Sequence, residues 1–303
     1  MVKLKVLVIG GGGYIGSELI MELNRNGYFV KCFDRFSSSE TLSKLKLNKN
    51  IEIVIGDIRD IERKNFLGID TVIDLAALTK ELDGKEKEII EVNKNARKKI
   101  IEISKESGVS QYIRISSSNV YAGNMKESSE KIIPDPQTLY AKINFELDTH
   151  AISLNNDKFS VTVLRLASIF GNSLRMRWDQ SINSMIKELC TNGKIEVKSK
   201  SSTRPFLHIS DAIKAIILVI KSEKEIAGEI FNVGSNDMNY SIGEIAKKIV
   251  NITKKESSLV VYDEKDENSF TMNCDKINKK LGFKKNNDLE YGINEILEKL
   301  DYR

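Results

Sequence analysis

Histidine and cysteine are scarce in this chain. Two histidines, His150 and His208, and three widely spaced cysteines, Cys32, Cys190 and Cys274, occur in 303 residues. An odd, scattered set of thiols excludes a disulfide framework and a zinc site, so the expectation is a free-thiol protein of a reducing compartment, cytoplasmic and without a metal. Long hydrophobic runs are also missing. The apolar start VKLKVLVIG is broken at once by glycines, and AIKAIILVI at 212–220 is too short for a bilayer, which leaves no signal peptide and no membrane span. Charge of one sign is not in excess: 47 Lys+Arg stand against 43 Asp+Glu, a formal +4. The basic residues are interspersed with acids, as on solvated helix faces, which argues against nucleic-acid binding. Repeats and low-complexity linkers are absent too.

What is present is an ordinary globular composition, 41% hydrophobic and 30% charged, in a chain long enough for about two domains. Short apolar runs at 4–9, 28–34, 51–57, 71–77, 111–117 and 161–167 alternate with helical stretches at about 15–26, 86–107 and 140–154. Near-continuous apolar strands separated by helices predict a parallel sheet covered on both faces. The fold class is therefore α/β, a Rossmann-type doubly wound parallel sheet with a smaller mixed α/β substrate-binding domain. Residues 1–167 with 204–234 are expected to form the first unit, and 168–203 with 235–303 the second, interleaved one.

Strand one runs straight into Gly10-Gly11-Gly12-Gly13-Tyr14-Ile15-Gly16, which opens a helix. The spacing of Gly10, Gly13 and Gly16 lets the backbone turn tightly and approach a pyrophosphate at the helix N-terminus, with Tyr14 and Ile15 beside it. Asp34, eighteen residues past Gly16, ends strand two where an adenosine ribose lies. A carboxylate there accepts from both ribose hydroxyls and repels a 2′-phosphate, which favours NAD, although the neighbouring Arg35 suits a phosphate. Asp57, followed by Ile58, is placed either to bind the adenine amine or to cap the turn at 58–62. Asp211 is read as the cap of the helix beginning DAIKAI, and His208 as a packed structural residue.

Together with LAA at 75–77, SSSNVY at 116–121, Tyr140 and RPFLHISDA at 204–212, this loop resembles the extended short-chain dehydrogenase/reductase family of NAD-dependent nucleotide-sugar epimerases and dehydratases. The segment 165–179 is similar to a subgroup that includes GDP-heptose dehydrogenases. The resemblance implies that Tyr140 takes the proton from a sugar hydroxyl, usually on C4, while hydride leaves the same carbon, and that Ser117 holds that oxygen. It implies that Ala76 and Ala77 line the cofactor site and that Asn93 stabilises the helix beside it. Arg204 would contact the substrate diphosphate, with Arg175 and Arg177 adding positive potential. Asn268 stands where a second arginine is expected, and Ser168 where an asparagine is. The dehydratase branch carries an Asp-Glu pair where this chain has Ser118 and Asn119, so a 4,6-dehydratase is disfavoured. The apolar positions 89, 92, 96, 100 and 103, with the helix after Tyr140, would supply half of a four-helix homodimer interface.

One departure bears on the chemistry. The family places a lysine four residues after the tyrosine, and this chain has Asn144 there. Lys142 lies about 200° round the helix from Tyr140 and cannot take over. A phenol left at its ordinary pKa of ~10 is ionised in only about one molecule in a thousand at pH 7, a deficit of about 4 kcal/mol against a base titrating near 7. The leading expectation is an NAD-dependent enzyme acting by hydride transfer at C4 of a nucleoside-diphosphate sugar, as an epimerase or a dehydrogenase. A catalytically weak, NAD-binding regulatory protein is the alternative that Asn144 raises. An NADPH-dependent 4-keto-sugar reductase is the third, and Asp34 speaks against it.

Overall fold

Val6 and Val8 point to one side of the first strand and Leu7 and Ile9 to the other, and all four are inaccessible to solvent. That is the signature of a strand covered on both faces, and it sets the layering of the molecule. The computed structural model describes residues 4–79, 84–123, 127–254, 259–262, 264, 266 and 269–301. Its main sheet has seven parallel strands, in the order β3 (Ile51–Ile55), β2 (Phe29–Asp34), β1 (Lys5–Ile9), β4 (Thr71–Asp74), β5 (Gln111–Ser117), β7 (Ser160–Leu166) and β11 (Ile230–Val233). The chain winds one way from β1 to β3 and the other way from β4 outward, so the seam lies between β1 and β4.

Helices cover both faces. One core cluster packs the Tyr14–Arg25 and Ile209–Lys221 helices on one side, and a second packs the helical stretch 86–106 and the Leu139–Ser153 helix on the other. Outside the large sheet the chain builds smaller ones. β10 (Thr203–His208) runs parallel to β8 (Ser168–Phe170) and antiparallel to β12 (Asn239–Ser241), β9 (Ile195–Val197) pairs with β13 (Leu259–Val261), and β6 (Glu127–Ser128) pairs with β14 (Thr271–Met272). A third apolar cluster fills the space beneath them, with the Ser181–Asn192, Ile242–Thr253 and Leu289–Lys299 helices. Thus β10, expected with the dinucleotide-binding unit, lies in a small sheet, whereas β11 returns to the large one. Ser241 and Glu244 form a reciprocal capping box at the start of the Ile242–Thr253 helix.

The positions Ile89, Val92, Ala96 and Ile100 are at most 7% exposed and pack within the chain's own core, with Ile103 partly buried beside them. One expectation changes. Asp211 does not cap its helix. His208 is the N-cap, and Asp211 instead accepts from the backbone N–H groups of Asn286 and Asn287 at 2.8 and 2.9 Å, tying the C-terminal segment to the body.

Beneath the carboxyl ends of β4, β5 and β7 lies a charge network that the strand pattern does not announce. Asp74 Oδ2 accepts from Arg97 Nε at 2.8 Å and from the Tyr112 hydroxyl at 3.1 Å, with Arg114 Nη1 at 3.7 Å. Asp148 accepts from Arg114 Nε, Arg165 Nε and Ser116 Oγ, each at 3.0 Å. All five charged groups are almost wholly buried. Taking one carboxylate out of such a set strands the guanidiniums it neutralises, which costs about 3–5 kcal/mol. Asp148→Ala is expected to lower the free energy of unfolding by that amount in urea denaturation.

Candidate active site

The seam between β1 and β4 opens into a cleft of about 390 Å³ at the carboxyl edge of the sheet. Its floor is the glycine loop. Gly10 has a φ of +81°, and a Cβ there would sit 2.7 Å from the Ala76 nitrogen; a Cβ on Gly16 would meet the Gly10 carbonyl at 2.3 Å. Glycine is therefore required at both positions for the loop to lie against the strand end and for the helix to start on top of it. That helix begins after Gly13 with no side-chain cap and no acid in its first turn, leaving its N-terminal N–H groups directed at the cleft.

Asp34 lines the cleft beside the loop, its carboxylate fixed by the N–H groups of Gly12 at 3.1 Å and Phe36 at 2.6 Å. Burial raises its pKa, and these two donors with Arg35 and Arg175 partly offset the rise. Arg35, Ile15, Ile58, Ala76 and Ala77 line the same wall. Asp57 also faces the cleft, yet its carboxylate receives the Arg59 backbone N–H at 3.0 Å and its guanidinium at 2.9 and 2.6 Å; Arg59 holds the pKa down to about 2. Of the two readings of Asp57, the turn cap is the one its side chain is engaged in. Tyr14 turns its hydroxyl away, donating to the Gly171 carbonyl at 2.7 Å, so its backbone is what it offers the cleft. Asn93 does not line the cleft but builds it. In a π-helical stretch, Ile90–Ala96, it both accepts from Leu78 N–H and donates to Leu78 C=O at 2.7 Å, clamping the segment that carries Ala76 and Ala77.

Ser117, at the end of β5, and Tyr140, in the first turn of the Leu139–Ser153 helix, line the other half of the cleft with Ser118, Asn119 and Ser168. Ser117 Oγ accepts from the Asn119 N–H at 3.2 Å. Asn144 is buried and outside the cleft wall, and Lys142 is exposed. Arg175 and Arg177 close the far side; Arg175 reaches Ser37 Oγ at 3.3 Å and Arg177 makes a two-pronged pair with Asp179. Arg204 is elsewhere. Its guanidinium is held by Asp266 at 2.6 Å and by Ser202 Oγ at 2.9 Å, over the Phe270 ring, and it does not line the cleft. Asn268 lies outside the described residues. His208 is buried between Ser210 and Glu295, as a packed residue would be.

Arg97, absent from the residues singled out in the sequence, forms part of the cleft wall. The signal for it was a charge in register with an otherwise apolar helix face, as Arg114 is a charge inside an otherwise apolar strand. Among the described residues no helix is long and apolar enough to cross a membrane, and no group of three or more potential metal ligands exists.

A doubly wound sheet whose glycine loop, acidic strand end and serine–tyrosine pair share one cleft defines a dinucleotide-binding protein. Residues 6–234 match the NAD dependent epimerase/dehydratase family, and the chain belongs to that family. Its cofactor is NAD. The residues present fit it, since the side-chain-free cradle at Gly10 and Gly16 and the half-buried Asp34 are what a pyrophosphate and a ribose need. The human dTDP-D-glucose 4,6-dehydratase is 28% identical over 84% of this chain and 75% of its own. The UDP-N-acetyl-alpha-D-glucosaminuronate decarboxylase of Bacillus cytotoxicus is 29% identical over 85% and 83%. In fold, the UDP-glucuronic acid 4-epimerase of Bacillus cereus, solved with UDP-glucuronic acid and NAD, superposes with a TM-score of 0.87 at 24% identity, covering 99% of this chain and 98% of that one.

Hydrogen bonds to a charged acceptor contribute about 1.5–3 kcal/mol. Asp34→Ala is accordingly expected to weaken NAD⁺ binding by roughly 10- to 100-fold in isothermal titration calorimetry, and to erase the preference over NADP⁺.

Proposed function

We propose that the protein acts on a nucleoside-diphosphate sugar by hydride transfer at C4, as an epimerase or a 4-dehydrogenase. The observation that carries the reading is the convergence of Ser117 and Tyr140 on the same cleft as the glycine loop and Asp34. Removing hydride from a carbinol carbon requires that its hydroxyl give up a proton, and a phenol and a hydroxyl facing that carbon meet the need. When bound, NAD supplies the hydride acceptor. The chain's own residues do the rest. Tyr140 removes the proton, Ser117 donates to the oxygen as charge grows on it, and the Asn93 clamp keeps the cofactor wall in place.

Ser118 and Asn119 carry no carboxyl group, so the cleft lacks at those positions the acid and base that elimination of water would use. The relatives named above are by their names enzymes of dTDP- or UDP-linked sugars, which supports the substrate class. Arg175 and Arg177 suit a diphosphate on the far wall, whereas Arg204 could serve only by leaving Asp266. A homodimer would use helix faces other than the apolar stripe buried in each chain.

Incubation with NAD⁺ and a panel of UDP-, GDP-, dTDP- and CDP-sugars, followed by NMR and mass spectrometry, tests the reading; an epimer or a 4-keto sugar is expected. Tyr140→Phe is expected to lower that turnover at least about 100-fold with NAD⁺ affinity unchanged. Tight NAD⁺ binding without turnover of any sugar would instead favour a binding or regulatory protein.

A further inference from the structure

Four arginines line the cleft, and they differ in whether their charge is met. Arg97 is paired with Asp74 at 2.8 Å and Arg177 with Asp179 at 2.7 Å. Arg35 and Arg175 have no carboxylate within ion-pair distance among the described residues. Arg35 is exposed, whereas Arg175 is half-buried. A cation drawn partly out of water without a counter-ion is unfavourable, and an anionic ligand relieves it.

The contacts of Arg175 show which end of the cleft it serves. Its Nη2 donates to Ser37 Oγ at 3.3 Å, across 138 residues of sequence. Ser37 lies just past Asp34, in a turn that folds back on the glycine loop. The Phe36 N–H donates to Asp34 Oδ1 at 2.6 Å and the Gly12 N–H to Asp34 Oδ2 at 3.1 Å, and a Cβ on Gly12 would meet the Phe36 ring at 2.8 Å. Phe36 has a φ of +51°, a left-handed conformation that a bulky side chain avoids unless its surroundings impose it. The turn that brings Ser37 to Arg175 is therefore held in an unfavourable shape, by the same acid that ends β2.

The backbone of Arg175 is fixed to that corner from the other side. Its N–H donates to Ser173 Oγ at 3.2 Å, and that hydroxyl donates in turn to the carbonyl of Tyr14, the first residue of the helix that the glycine loop opens. Arg175 thus stands between the start of that helix and the Asp34 turn. These are the two elements that a pyrophosphate and a ribose need, while Ser117 and Tyr140 line the other half of the cleft.

We propose that Arg175 is a cofactor residue: carried by the segment after β8 rather than by the glycine loop or a strand end, it binds the pyrophosphate–ribose half of NAD, and Ser37 holds its guanidinium there. The sugar's diphosphate is then left with Arg177 on that wall. The inference goes beyond the proposed reaction and does not depend on which sugar is turned over.

Release of the cofactor tests it. Radiolabelled NAD⁺ is loaded onto the protein and chased with excess unlabelled NAD⁺, retained label is followed by rapid filtration, and the measurement is repeated with NADP⁺. Arg175→Met is expected to release NAD⁺ about 10-fold faster or more, as the loss of one charge-assisted hydrogen bond does, with the melting temperature of the cofactor-free protein unchanged. Release within about 2-fold of the wild type overturns the proposal. So does an effect confined to NADP⁺, because it places Arg175 at the 2′-phosphate position instead. Should Arg175→Met fail to fold or melt lower, Ser37→Ala decides: NAD⁺ release about 2- to 5-fold faster supports the proposal and unchanged release overturns it. A sugar panel without turnover defeats the proposed function and leaves this measurement readable.

Discussion

Between β1 and β4 the chain changes the direction in which it lays down strands, and at that seam the two strand ends part. Nothing else in the molecule could put a glycine loop, an acid at the end of β2 and a serine at the end of β5 around one opening, because those residues are far apart in sequence. The parallel arrangement makes all the strands end on the same side. The reversal keeps one pair of connections from covering that edge. The family's cofactor chemistry depends on this geometry before it depends on any side chain.

Under the edge, the interior departs from the apolar packing that lines the rest of the sheet. Burying guanidiniums and carboxylates is unfavourable unless each finds partners, and here nearly every available oxygen is used, with Arg114 Nη1 and Asp74 Oδ1 the exceptions among side-chain atoms of the set. A fully apolar replacement could be at least as stable, so the reason for the network is to be sought in what it faces. It joins β4, β5 and β7 to both helices on that face, and one member reaches the cleft.

The large sheet was legible because parallel strands buried on both sides read as unbroken apolar runs. Strand and helix limits such as 111–117 and 140–154 fall within a residue or two of Gln111–Ser117 and Leu139–Ser153. The glycine loop was legible because its spacing is a backbone requirement. Pairings between distant segments were not. Arg204 sits in a motif that suggests a ligand, but only the fold brings Asp266 against it. Helical spacing identified the stripe from Ile89 to Ile100 as apolar without saying whether it faces the sheet or a second copy. Arg97 and Arg114 look, along the chain, like surface charges; their burial depends on carboxylates 23 and 34 residues away. The π-helical turn that aims Asn93 at Leu78 has no signature in composition at all.

The far wall of the cleft is anchored from behind. Gly171 C=O accepts from Tyr14, Ser173 Oγ donates to the Tyr14 carbonyl at 2.7 Å, Leu174 N–H is held by Glu18 at 2.6 Å, and Asn172 N–H by Glu295 at 2.7 Å. Burial would raise the Glu295 pKa, but His208 and that N–H bring it below the usual carboxylate range, so the anchor stays charged at neutral pH. The strap leading to Arg175 and Arg177 is thus riveted to the first helix of the sheet and to the last helix of the chain at once. Swinging it as a hinged flap would break both sets of hydrogen bonds at once.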